Sequence, residues 1–378
     1  MNNRDIIIQP IEDKSIVWFE INNEYSVLEH RAGKIIDAIH RKKSDTEIAE
    51  NLALELDVPY EKAIDFVIEL KEELYLPKFE NVLGLEEDYK DVRKPSNWEF
   101  IKCYKIGDKC FEVRFENEEL LSLIHPKFAH LEVEIAETSN GLFEVFNSHS
   151  YIFLFVDGQF IGDWSTKDRH FFQGKFSMQL IQMIHEKKED EWTGVFHASA
   201  VAKNDKCVLF MGDSGDGKST SLALLQTQGF ECIADDFVPF SSEDLKVYPF
   251  PSAISIKKNS LPTLLPFYPS LESAAEFRFD SLNKIVRYLP PLNIDNSKPM
   301  PCKELIFIKY QEGSGTVFQK IAKIDAFQRL IPDSWLSPLK ENAENFLSWY
   351  DSVECYQLEY SKNDEMIEIV NQIFGNEL

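Results

Sequence analysis

Between His197 and Asp236 the chain carries residues whose types and spacing suit phosphate chemistry. Gly212, Gly217, Lys218 and Ser219 stand in the order G-x-x-x-x-G-K-S, a spacing that wraps successive backbone N–H groups around one anion. The loop residues Gly212, Asp213, Ser214, Gly215, Asp216 and Gly217, with Lys218, Ser219 and Thr220 at the following helix start, form the candidate nucleotide cradle. Lys218 would reach the β- and γ-phosphates of ATP, and the Ser219 hydroxyl would hold Mg²⁺. Asp235 and Asp236 follow, two adjacent carboxylates that repel unless a cation sits beside them or one keeps a proton. His197 precedes the loop, and Lys257 and Arg287 follow it as cations that could meet the oxygens of a transferred phosphoryl group.

These residues need elements to hold them. The apolar run Cys207–Met211 predicts a strand entering the loop, and Leu222, Ala223, Leu224 and Leu225 predict a helix leaving it, over Lys218–Gln228 with Gly229 as its stop. A strand over Glu231–Ala234 then delivers Asp235 and Asp236 to its C-terminal end, where ligands of α/β sheets gather. Val195–Ala202 predicts one further strand, carrying His197 and joined to the next by a polar turn at Lys203–Lys206.

Elsewhere the chain reads as three blocks. Residues 1–78 hold short β-type runs at Ile6–Ile8, Ile16–Ile21 and Tyr25–Leu28, then helical patterns over Ala32–Arg41, Asp45–Leu56 and Tyr60–Leu74. Ser44-x-x-Glu47 is a capping box for the second helix, and Pro59 precedes the third. That order suggests a small winged-helix-like module. Residues 79–95 are charged and weakly periodic, a linker. Within 96–378, residues 96–190 form a β-rich lead-in with alternating runs at Cys110–Phe115, Leu131–Ile135 and Tyr151–Val156, and 191–378 the core that carries the loop. The fold class is α/β (α+β), multidomain, with a mixed sheet in the second part.

Composition excludes several roles. A formal charge of −24 with no long basic tract argues against nucleic acid as partner, and within residues 1–80 there are 18 acidic against 10 basic residues. The six cysteines are scattered without a C-x-x-C pair, which argues against a zinc site or disulfide framework. No apolar stretch reaches membrane-spanning length and the start has no leader-like segment, so the expectation is a cytoplasmic protein with no membrane partner.

Two stretches resemble known families. YSVLEHRAGKIIDAIHRKKSDTEIAENLALELDVPYEKAIDFVIELKEELYL resembles the PqqD family, small domains that recognise leader segments of ribosomal precursor peptides. The resemblance implies a leader-peptide partner added beside the third strand, in a groove lined by Tyr25, Val27 and Leu28 with Ile64, Phe66 or Val67. The His197 strand, the loop GDSGDGKS and the ADD after it resemble the HPr kinase/phosphorylase family, with its phosphoenolpyruvate-carboxykinase type of P-loop fold. That resemblance implies Ser219 and one of Asp235 or Asp236 on Mg²⁺, the other aspartate as general base, with Asp236 favoured, His197 near the transferred phosphoryl group, and a homo-oligomer. Thr220 stands where those kinases usually have Glu, and their Arg-Gly signature is not visible downstream, so neither HPr as substrate nor phosphorolysis is implied.

Together the readings describe an ATP-dependent kinase for a hydroxyl, a serine in first place, on a ribosomally synthesised precursor peptide. Two others stand beside it: a kinase for a small hydroxylated metabolite with a structural first domain, and a binding scaffold whose nucleotide site is regulatory.

Overall fold

The computed structural model describes residues 5–79, 92–134, 138–279, 284–292 and 298–375, so most of the expected linker lies outside the described residues. The chain forms two compact units, one from Met1–Glu87 with Lys320–Cys355, the other from Asp88–Gln319 with Tyr356–Leu378. The first block is therefore not built from the N-terminal residues alone. Residues 320–355, expected with the second part, fall in the first unit.

In the first unit, β1 (Ile6–Ile11), β2 (Lys14–Phe19) and β3 (Glu24–Glu29) make an antiparallel sheet in that order, followed by α1 (His30–His40), α2 (Asp45–Leu56) and α3 (Tyr60–Glu69). The Ser44 hydroxyl accepts from the Glu47 amide at 3.1 Å, the cap that starts α2. Ile16 to Phe19 are all buried because both faces of the sheet are covered. Val17 and Phe19 pack with Ile36 of α1. On the other face Tyr25, paired with Trp18, meets Phe327 and Phe346 edge-on at 5.9 and 5.6 Å, from helices Lys323–Leu330 and Lys340–Ser352.

This packing corrects the expected groove. Val67 is fully buried and Ile64 partly buried in the cluster between α1, α2 and α3, and Tyr25 is covered by Phe327 and Phe346, so these three do not line an open surface. Leu28 packs on the Val17, Phe19 and Ile36 cluster, Val27 is half-buried opposite Ile16, and Phe66 is exposed. β3 is the outer strand of its sheet.

The second unit opens with β4 (Phe100–Ile106), β5 (Lys109–Phe115), α4 (Glu118–Phe128), β6 (Glu132–Val133), β7 (Gly141–Ser148), β8 (Tyr151–Val156), β9 (Gln159–Ser165) and α5 (Arg169–His185). Their sheet runs β6-β4-β5-β7-β8-β9, and Asp157 and Gly158, both at positive φ, turn β8 into β9. The larger sheet is built from β10 (Trp192–Phe196), β11 (Ser199–Lys203), β12 (Lys206–Met211), β13 (Glu231–Asp235), β14 (Val238–Ser241), β15 (Lys246–Val247) and, after β16 (Ile254–Lys257), β17 (Phe277–Phe279) and β18 (Lys284–Leu289), β19 (Met300–Tyr310). Within it the run β13-β11-β12-β19-β15-β14-β10 is parallel at β12–β19 and antiparallel at its other pairings, while β16, β18 and β17 form a small sheet of their own. The single strand expected over Val195–Ala202 is two: β10 pairs with β14 and β11 with β12 and β13, and the chain breaks between them at His197 and Ala198.

Helix α6 (Lys218–Gln226) leaves the glycine loop with Leu222 to Leu225 all buried, packed with Val201, Phe210, Ile306, Met366 and Phe374. A helix buried on this many sides is a core helix. No helix among the described residues is long and apolar enough to cross a membrane, and the six cysteines are free thiols.

Candidate functional site

The glycine loop lies between β12 and α6 as its spacing predicts, and its shape depends on glycine at two positions. Gly212 has φ 139°, and a Cβ there would stand 2.8 Å from the Ile308 carbonyl. Gly217 has φ 102° and faces Tyr360, whose hydroxyl lies 3.0 Å from where a Cβ would be. Asp216 braces the turn from inside: its carboxylate accepts from the Asp213 amide at 2.8 Å, and its carbonyl accepts from the Tyr310 amide at 2.8 Å. The Lys218 side chain is buried and donates to the Gly212 carbonyl and, at 3.2 Å, to the Asp213 carbonyl.

At the end of β13 the two aspartates have different surroundings. Asp235 is 1% exposed, and its Oδ1 accepts from Ser199 at 2.5 Å and from Ser219 at 3.1 Å. Its Oδ2 accepts from the Ser255 amide at 3.3 Å. Burial, and then the neighbouring Asp236 charge, push its pKa up. Asp236 takes the left-handed conformation at φ 68°, held by a bond from its amide to the Ala198 carbonyl at 2.9 Å. That conformation ends the strand's alternation and turns the second carboxylate to the cleft wall.

His197 occupies the break between β10 and β11. Its Nδ1 lies 3.1 Å from Asp236 Oδ1, and the hydrogen bond to that carboxylate raises the imidazole pKa against the opposing effect of burial. The second oxygen of Asp236 lies 3.7 Å from Lys127 Nζ. Across the loop, β16 and the short helical turn Lys258–Ser260 supply the opposite wall. There Lys257 donates to Ser214 Oγ at 2.9 Å, and Thr220 donates to Ser260 Oγ at 2.8 Å. The resulting cleft is lined by His197, Asp213, Ser214, Gly215, Gly217, Lys218, Ser219, Thr220, Asp236, Ser255, Lys257, Asn259 and Ser260.

One expected residue lies elsewhere. Arg287 is outside this cleft: its guanidinium donates to the carbonyls of Leu271 and Glu272 and pairs with Glu276 at 3.0 Å, tying β18 to the segment before β17. Three contributors carry no motif. Ser199, Ser255 and Lys127 come from separate elements, and only strand pairing and helix packing bring them to the aspartates.

The donor set suits a nucleotide with a hard divalent cation. Mg²⁺ takes one or two carboxylates with hydroxyl, water and phosphate oxygens for the rest. Asp235 and Ser219 match that demand, and the buried carboxylate, bonded here by hydroxyls and an amide, would gain the positive charge its burial disfavours leaving out. Among the described residues no group of three or more His, Cys, Asp or Glu is placed to hold a metal without such help.

No family model and no curated protein matches this chain. Among solved structures, that of the Hpr(Ser) kinase/phosphatase from Coxiella burnetii is similar at 10% identity, covering 48% of this chain and 95% of that one, with a TM-score of 0.22. A likeness that slight bears on no residue's role.

Proposed function

We propose that this chain is an ATP-dependent phosphotransferase acting on a hydroxyl group. The observation that carries the reading is the adjoining pair of carboxylates: Asp235 tied to the loop hydroxyl of Ser219, Asp236 turned to the cleft and bonded to His197. Bound Mg-ATP supplies the γ-phosphoryl group and the charge that neutralises its oxygens. The chain does the rest. Loop amides and the α6 N-terminus hold the phosphates, Lys218 meets them as a point charge, and Ser219 with Asp235 holds Mg²⁺. A hydroxyl is a weak nucleophile at neutral pH, and Asp236 receives its proton as the new bond forms. His197 orients Asp236, and Lys257 brings a further positive charge from the facing wall. The weak similarity to an Hpr(Ser) kinase/phosphatase is in keeping with this reading but adds nothing to it.

The acceptor we propose is a serine of a ribosomal precursor peptide, its leader held by the first unit along the outer strand β3 in a PqqD-like manner. Tethering raises the acceptor's effective concentration at the transfer site. Incubation of the full chain with Mg-ATP and a short peptide encoded beside it should add one phosphate to that peptide, and removal of the leader should lower kcat/KM. No mass gain sinks the peptide reading. The covering of Tyr25 by Phe327 and Phe346 favours a second reading, a structural first unit and a small hydroxylated acceptor, for which leader removal changes nothing.

A further inference from the structure

The β-rich lead-in, residues 96–190, contains no recognisable motif, yet one of its side chains reaches the transfer site. Lys127, in the last turn of α4, places Nζ 3.7 Å from Asp236 Oδ2, and the two side chains are 23% and 37% exposed. The placement is anchored through the backbone: the Lys127 carbonyl accepts from the Ala253 amide at 2.8 Å, just before β16, the strand that carries Lys257 into the cleft. The carboxylate thus has a different partner at each oxygen, His197 at Oδ1 and Lys127 at Oδ2. His197 is at hydrogen-bond distance. Lys127 is farther, at ion-pair distance, so an incoming hydroxyl can approach Oδ2 beside a cation.

We propose that Lys127 is a positioning residue for phosphoryl transfer: it holds Asp236 toward the acceptor hydroxyl and keeps positive charge beside the oxygen that attacks. The inference rests on the phosphotransferase reading above. In the step it serves, the acceptor oxygen bonds to the γ-phosphorus and the bond from that phosphorus to the β,γ-bridging oxygen breaks. Its electron pair leaves with ADP, and the acceptor proton passes to Asp236. Lys127 pairs with Asp236 and does not line the cleft that would take the nucleotide, so its loss should act on the rate and not on nucleotide affinity.

The test uses the full chain with Mg-ATP and water as acceptor, read as inorganic phosphate released. Lys127→Met keeps the aliphatic stem and removes the charge. It should lower kcat at least about fivefold while KM for ATP stays within about twofold, and Lys127→Arg should recover most of the rate. Thermal melts of both variants, with Lys127→Gln as a second neutral replacement, show that the fold is intact. A kcat loss smaller than about fivefold, or a rise in KM as large as the fall in kcat, overturns the role of Lys127. A wild-type chain that binds Mg-ATP but transfers phosphate neither to water nor to the peptide acceptor named above overturns the transfer reading itself, and this one with it.

Discussion

Gly217 shows how narrowly a single position can be determined. Its φ of 102° is one that a residue with a Cβ adopts at a cost of about 1–2 kcal/mol, and the added carbon would meet a Tyr360 hydroxyl already bonded to Ser221 at 2.8 Å. Gly217→Ala should weaken Mg-ATP binding by about tenfold or more, since about 1.4 kcal/mol is tenfold in a binding constant. Titration with a fluorescent ATP analogue reads this, and an unchanged affinity would show that the loop relaxes freely. The two charged groups of the site should separate cleanly. Lys218→Ala removes a phosphate contact and should abolish nucleotide binding. Asp236→Asn should leave ATP affinity intact and lower kcat by about 10²–10⁴, the usual worth of a general base. If Asp236→Asn instead keeps its biological output while Lys218→Ala loses it, the nucleotide site is regulatory and not catalytic.

Strand β3 and the helices over it allow a stability test that does not depend on catalysis. Tyr25 packs between Phe327 and Phe346, and its buried hydroxyl has no hydrogen-bond partner among the described residues. Burial pushes its pKa well above the usual tyrosine value. Tyr25→Phe deletes an unsatisfied polar atom and should stabilise the chain by about 1 kcal/mol, whereas Tyr25→Ala opens a cavity costing about 3–5 kcal/mol. Urea denaturation measures both. A lower midpoint for Tyr25→Phe would mean that the hydroxyl is satisfied in solution. Ser199 makes the opposite case, for its hydroxyl is one of the donors to buried Asp235.

For the chain as a whole, acid sensitivity follows from two largely enclosed histidines. His185, bonded to the Pro249 carbonyl at 2.8 Å, and His130 both have pKa values pushed from 6.5 down to about 4 by burial. Above pH 6.5 they are neutral folded or unfolded and contribute nothing to the pH dependence. Below it the unfolded chain takes up protons that the folded chain refuses. Stability should therefore fall as pH drops from about 6.5 toward 4, with a slope approaching about 1.4 kcal/mol per pH unit for each histidine. Denaturation midpoints at pH 7, 6 and 5 should show that decline, and replacing both histidines with Gln should flatten it. An equally steep profile in the double variant would assign the effect to other groups.

Much that is local was legible in the residues themselves. The Ser44 cap, the Asp157-Gly158 turn and the strand–loop–helix from Cys207 to Gln226 rest on bonds or dihedral preferences spanning a few positions, so neighbouring residues suffice to specify them. Other features depend on partners far along the chain. The largely apolar stretch from Val195 to Ala202 does not announce a break at His197, which arises because its two halves pair with different strands. Nor does any pattern tie Ser199 or Lys127 to the aspartates, send Arg287 to Glu276 outside the cleft, or bring residues 320–355 over Tyr25. Side chains of ordinary type acquire such roles only when strand order and helix docking set distances between residues that are remote in sequence. The phosphate loop is thus written in local spacing, while the company kept by Asp235 and Asp236 is a product of the folded chain.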